Sequence, residues 1–91
     1  MSKFMLQYFM NKKILLLEDD MALSETVADY LENLNYDVCT VYDGNSAMDE
    51  IYENTFDLLL LDVNVPDING FEILKNARAQ NITTPSIFIT S

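Results

Sequence analysis

The chain has 91 residues, room for one domain with a core but not for two. Its hydrophobic share of 49% and charged share of 22% are those of a folded domain, which excludes an intrinsically disordered segment. With 5 basic residues against 15 acidic ones and a net charge of −10, it lacks the clustered Lys and Arg that a nucleic-acid backbone requires, so no direct nucleic-acid contact by this segment is expected. Cys39 is the only cysteine and histidine is absent; this rules out an intramolecular disulfide and a Cys/His zinc site, makes Cys39 a small core filler, and fits a reducing cytoplasm.

Residues 1–11 read as an N-terminal extension ahead of a domain spanning 12–91. Phe4, Met5, Leu6, Tyr8, Phe9 and Met10 make it apolar, but it lacks the longer apolar stretch and cleavage site of a secretory signal. It also falls well short of the roughly 20 residues of a membrane-spanning helix, so no membrane association is expected. Met10 is an alternative start, because Met10-Asn11-Lys12-Lys13 leads straight into the first strand.

That strand is the unbroken apolar run Ile14-Leu15-Leu16-Leu17, which ends in Glu18-Asp19-Asp20. Such a run reads as a strand covered on both faces of a parallel sheet. The period then changes to 3.6, with Leu23, Val27, Leu31 and Leu34 on the face expected inward and Glu25, Asp29 and Glu32 opposite, a helix that Asp20 can cap. Asn35-Tyr36 breaks it, and residues 37–41 alternate as a half-exposed strand. Asp43-Gly44 reads as a turn, followed by a short helix over 47–53 with Ser46 as its cap and Ala47, Met48 and Ile51 inward. A second apolar strand over 56–61 ends at Asp62. The loop 62–69 contains Pro66, which keeps Val65 out of helical angles, and Asn69-Gly70 opens a third helix carrying Phe71, Ile73, Leu74 and Ala77, with the Asn69 side chain suited to cap it. The last strand covers 86–90, and Tyr36, Tyr42 and Phe56 are read as core or strand-edge packing.

Strands alternating with helices predict a doubly wound α/β domain with a parallel sheet. Ligands of such sheets bind at the carboxyl ends of the strands. Glu18, Asp19 and Asp62, distant in the chain, should therefore converge. Like charges in one pocket raise each other's pKa, and a divalent cation relieves them. The chemistry to expect is a hard metal beside a nucleophilic carboxylate. A nucleotide-binding fold is disfavoured, since no Gly-rich loop follows the first strand.

The run Ile14-Leu15-Leu16-Leu17-Glu18-Asp19-Asp20, then Asp57-Leu58-Leu59-Leu60-Leu61-Asp62 with Pro66-Asp67-Ile68-Asn69-Gly70-Phe71-Glu72-Ile73-Leu74, then Pro85-Ser86-Ile87-Phe88-Ile89-Thr90, closely resembles the receiver domain of two-component response regulators. The resemblance covers 12–91 and implies a flavodoxin-like receiver fold truncated after the fourth strand, with strand order 2-1-3-4. It implies that Asp62 accepts a phosphoryl group from a sensor histidine kinase in a Mg²⁺-dependent reaction. Asp19 would be a direct Mg²⁺ ligand, Glu18 would act through water, and the backbone carbonyl of Asn64 would complete the protein ligands. Thr90 would supply the hydroxyl that turns toward the phosphoryl group on activation. The chain would thus be a signalling domain rather than an enzyme, controlling an output module, expected to be DNA-binding, that lies outside it.

The departure from the family lies at the end. Receivers continue with a fourth helix, a fifth strand ending in a lysine that grips the phosphoryl group, and a fifth helix, so this sequence is expected to be a fragment of a longer regulator. Its fourth strand would then be an open edge, and self-association through that strand or through the N-terminal extension is expected. Two other functions compete. A haloacid-dehalogenase-like phosphatase also uses a strand-end Asp and Mg²⁺, but needs a second Asp two residues on, where this chain has Asn64. An interaction module that has lost phosphorylation would have no need of Glu18, Asp19 and Asp62.

Overall fold

The computed structural model of the protein describes residues 12–89, so the extension 1–11 and Thr90 lie outside it. The two leucine-rich runs form adjacent parallel strands, β1 (Lys13–Leu17) and β3 (Leu58–Asp62), with Ile14 opposite Leu58 and Leu17 opposite Leu61. Around them the chain forms α1 (Met21–Asn33), β2 (Asp37–Val41), α2 (Gly44–Glu53), α3 (Gly70–Ala79) and β4 (Ser86–Ile89). Every pairing is parallel and the order is β2-β1-β3-β4, the doubly wound arrangement expected from the sequence.

Side chains alternate across a strand, so Leu15, Leu17, Leu59 and Leu61 share one face of the sheet. There they pack with Ala47, Met48 and Ile51 of α2, Ile73 and Ala77 of α3, and Val41 and Phe56, in one buried cluster. Ile14 and Leu16 take the opposite face, on the side of α1. Each fully buried leucine contributes about 1.5–3 kcal/mol, so this two-sided core is the main stabilising term. Half-buried Cys39 packs against the same cluster, as a filler should. Burial, then the nearby carboxylates of Glu50 and Asp37, push its thiol above the ordinary range, which suits an inert group.

The inward face of α1 differs from the expected one. Leu23 is 42% and Leu34 51% exposed, whereas Ser24 and Ala28 are buried and Val27 and Leu31 half-buried beside them. The contacting stripe is thus Ser24, Val27, Ala28 and Leu31, at the same i, i+3, i+4, i+7 spacing but rotated. Small residues let the helix backbone lie close to the sheet, and hydropathy alone does not see that advantage. Phe71 also stays outside the core, its ring meeting Phe88 edge-on with centroids 4.6 Å apart and planes at 61°. Phe56 is buried as expected, and Tyr36 and Tyr42 sit at exposed positions.

The start of α2 also corrects the sequence reading. Asp43, not Ser46, is the cap: its carboxylate accepts the Ser46 N–H at 2.7 Å and the Ser46 hydroxyl at 3.1 Å. Gly44 is the first helical residue rather than part of a turn, and a Cβ there would overlap the Ile68 carbonyl oxygen. Asp20 and Asn69 cap α1 and α3 as expected, accepting the N–H groups of Leu23 and Glu72. Arg78 closes the far end of α3, donating to the carbonyls of Ile82 and Thr84.

Ile73 is fully buried between α3 and the sheet. Ile73→Ala should lower the stability of the domain by about 2–5 kcal/mol, read as a fall in the urea midpoint at unchanged slope. Ile87→Ala, at a side chain 52% exposed, should change it by no more than about 0.5 kcal/mol.

Candidate metal centre

Parallel pairing decides which side chains meet at the carboxyl edge. Leu17 lies opposite Leu61, so the next residue of each strand, Glu18 and Asp62, must be neighbours. Glu18 is held in line by its N–H, which donates to the Val41 carbonyl at 3.1 Å, and Asp62 is the last residue of β3, opposite Ile89. Glu18, Asp19 and Asp62 each offer a carboxylate oxygen, all within 4.8 Å of one another. Glu18 is only 4% and Asp62 2% exposed, while Asp19 faces solvent. The cluster has a buried floor and an open mouth.

Backbone amides orient the two buried acids. Glu18 Oε1 accepts the Asp20 N–H at 3.1 Å, and Asp62 Oδ1 accepts the Asn64 N–H at 3.0 Å. Asp20 turns away to cap α1 and takes no part in the cluster. Burial pushes the Glu18 carboxyl above the usual glutamate range; the Asp20 amide opposes this, and the hydrogen bond and charge of Asp62 and the charge of Asp19 add to the rise. The folded state therefore holds the Glu18 proton more tightly than the unfolded chain does. The group favours folding at low pH, and that contribution is lost as pH rises through its raised pKa. Above that point three carboxylates repel, which a bound cation would relieve.

The loop after Asp62 is drawn tightly back. Gly70 N–H donates to the Val63 carbonyl at 3.3 Å, and a Cβ on Gly70 would stand 2.6 Å from the Asp62 carbonyl oxygen, so only glycine lets α3 start this close to the acid. Asn64 stands in that loop, its amide engaged by Asp62. Thr90, the expected switch hydroxyl, lies outside the described residues. One residue escaped the sequence reading: Asp67, whose carboxylate accepts the amides of Gly44, Asn45 and Ile68. Its only sequence signal was the Pro66-Asp67 pair, a general mark of turns.

An all-oxygen set of carboxylates suits a hard divalent cation. Among the described residues no helix is long and apolar enough to cross a membrane.

Comparison with known proteins converges on one family. The response regulator receiver domain matches residues 14–91. The transcriptional regulatory protein CrdR of Helicobacter pylori is 47% identical over 83 residues, covering 90% of this chain and 39% of that protein. CiaR of Streptococcus pneumoniae, also a transcriptional regulatory protein, is 44% identical over 79 residues, covering 87% and 35%. The chain thus spans well under half the length of these relatives. Among solved structures, the receiver domain of Francisella response regulator 1452 superimposes with a TM-score of 0.85 at 31% identity, covering 88% of this chain and 66% of that one. The Thermotoga maritima response regulator TrrA, in complex with Mg²⁺-BeF, gives 0.82 at 26% identity, covering 87% and 69%. With the strand order, the acidic edge and these likenesses in agreement, the chain belongs to the response regulator receiver domain family.

Proposed function

We propose that Asp62 accepts a phosphoryl group from a sensor histidine kinase, in a Mg²⁺-dependent reaction at the edge where Glu18, Asp19 and Asp62 meet. The observation that carries the reading is that convergence within 4.8 Å, two of the acids being buried. A shared cation would relieve their mutual repulsion. Glu18, Asp19 and Asp62, with the backbone carbonyl of Asn64, would hold the ion, Asp19 directly and Glu18 through water. The set fits Mg²⁺, which takes one or two carboxylates and keeps several waters. The TrrA complex with Mg²⁺-BeF supports the same reading.

The chemistry follows from the residues. An Asp62 carboxylate oxygen attacks phosphorus in line; the O–P bond forms as the bond from phosphorus to the kinase imidazole breaks, and the electron pair leaves with the imidazole. The Asn64 amide holds one Asp62 oxygen and so limits the rotation of the carboxylate. Bound Mg²⁺ would neutralise the charge that spreads over the equatorial phosphoryl oxygens. Thr90 would supply the hydroxyl that follows the phosphoryl group, and the output would be a DNA-binding module acting in the cytoplasm. We read the domain as a phosphoacceptor rather than a phosphatase, because Asn64 stands where a phosphatase would need a second acid. Residues 12–91 would be the receiver portion and 1–11 an extension. For the 91-residue polypeptide we also infer self-association, since β4 lies at the sheet edge with Ile87 exposed opposite Leu60.

Acetyl phosphate with Mg²⁺ should add the mass of one phosphoryl group to the protein, and Asp62→Asn should abolish the gain; a variant still labelled would defeat the assignment. Labelling of the 91-residue chain should be slow, because no lysine follows Lys75 to grip the transferred charge. Millimolar Mg²⁺ should raise the thermal midpoint by roughly 4–8 °C, the shift that about 1 kcal/mol gives in a domain this size. Asp19→Ala should lose that rise, and an equal rise in the variant counts against the site. Light scattering across a concentration series should show a mass above the monomer; a constant monomer mass sinks the self-association, and removal of residues 1–9 tells whether the extension contributes.

A further inference from the structure

The loop between Asp62 and α3 is tied at its two ends, by Asn64 N–H to Asp62 Oδ1 at 3.0 Å and by Gly70 N–H to the Val63 carbonyl at 3.3 Å. Between these ties only Val65 and Ile68 reach the core, each half-buried, while Asn64, Pro66, Asp67 and Asn69 are exposed. So little apolar burial leaves the middle of the loop free to open unless polar contacts hold it.

Asp67 provides them. Its Oδ1 accepts the Gly44 N–H at 2.7 Å and its Oδ2 the Asn45 N–H at 3.1 Å, the first two amides of α2. No residue inside a helix can satisfy these amides, and negative charge is favoured there. Asp43, the helix's own cap, serves Ser46, so two carboxylates from distant parts of the chain divide the start of one helix. The Pro66 carbonyl also accepts from Gly44, at 3.4 Å. Asp67 adopts φ 68°, a left-handed conformation that Asp and Asn tolerate better than most residues with a side chain. Partial desolvation pushes the Asp67 carboxyl up, but the amides of Ile68, Asn45 and Gly44 outweigh it and hold it below the usual aspartate range. The helix it grips is itself fixed by the buried Ala47, Met48 and Ile51.

We infer that Asp67 is a positioning residue for the divalent cation site: by fastening the loop to the start of α2, it holds the Asn64 backbone where its carbonyl can join Glu18, Asp19 and Asp62. The inference rests on the metal-site reading above. A carboxylate ligand can turn toward an ion by side-chain rotation, whereas a backbone carbonyl goes where its loop puts it. The loop's ties to the start of α2, chiefly the two amides held by the Asp67 carboxylate, therefore bear on the one ligand that cannot adjust.

The test is isothermal titration of the 91-residue chain with magnesium chloride, as native protein, Asp67→Asn and Asp67→Gly. Glycine takes φ 68° without strain but removes the carboxylate, while asparagine tolerates that φ and keeps one oxygen acceptor. Asp67→Gly should weaken Mg²⁺ binding roughly tenfold, the usual scale for losing a support behind a metal ligand, and Asp67→Asn should stay within about threefold of native. Amide exchange at Asn64 should accelerate in Asp67→Gly while the amides of β1 keep their protection, which separates a moved loop from a lost fold. Undiminished affinity in Asp67→Gly overturns the inference. So does equal weakening in both variants, which would mean that charge and not placement matters. A native chain that binds no Mg²⁺ overturns the metal-site reading instead. If Asp67→Gly does not fold, Gly44→Ala carries the test from the helix side: its Cβ must displace the Ile68 carbonyl, and affinity equal to native overturns the inference there too.

Discussion

The parallel pairing of β1 with β3 is the constraint on which the rest depends. Both strands are leucine-rich and largely covered on their two faces, so a slip of one residue would exchange every buried side chain for its neighbour and break the packing against α2 and α3 at once. With Leu17 held opposite Leu61, the acids that follow have no choice of position. Hydrophobic burial thus forces together charges that would otherwise separate. The cost at Glu18 and Asp62 is carried by a core in which each buried leucine contributes about 1.5–3 kcal/mol.

The same topology sets the charge around that edge. Where every strand is parallel, each helix that follows a strand begins at the carboxyl edge, so α1, α2 and α3 all start there. Their unsatisfied amides carry partial positive charge. Asp20, Asp43, Asn69 and Asp67 answer some of these amides, and Glu18 and Asp62 each take one more from Asp20 and Asn64. The acidic cluster therefore sits among fixed donors, an arrangement that tolerates concentrated negative charge. Exposed Asp19 leaves the pocket open on the solvent side, where an ion can enter with its water.

Two glycines make the geometry possible for the same steric reason. Neither has a positive φ; each lies where another backbone passes too close for a Cβ, Gly44 against Ile68 and Gly70 against Asp62. Together they let the loop between β3 and α3 press against both Asp62 and the start of α2. On the opposite face of the sheet, exposed Ile87 lies opposite half-buried Leu60.

Much of this was legible in the residues because it is local or periodic. The apolar runs ending in Glu18-Asp19 and in Asp62 identify the strands and their shared edge, and the change of period after each identifies the helices. Asp20 and Asn69 read correctly as caps, since a cap lies next to the helix it serves. What sequence could not decide depends on partners far along the chain. The inner face of α1 passed to Ser24 and Ala28 because close approach to the sheet favours small side chains over Leu23 and Leu34. Glycine is required at the start of α2 because Ile68 passes beside Gly44, and Asp67 meets its amides only when folding carries it to residues 23 and 22 positions away. Composition and period report which side chains prefer burial; which backbone amide a carboxylate will meet is settled only by packing.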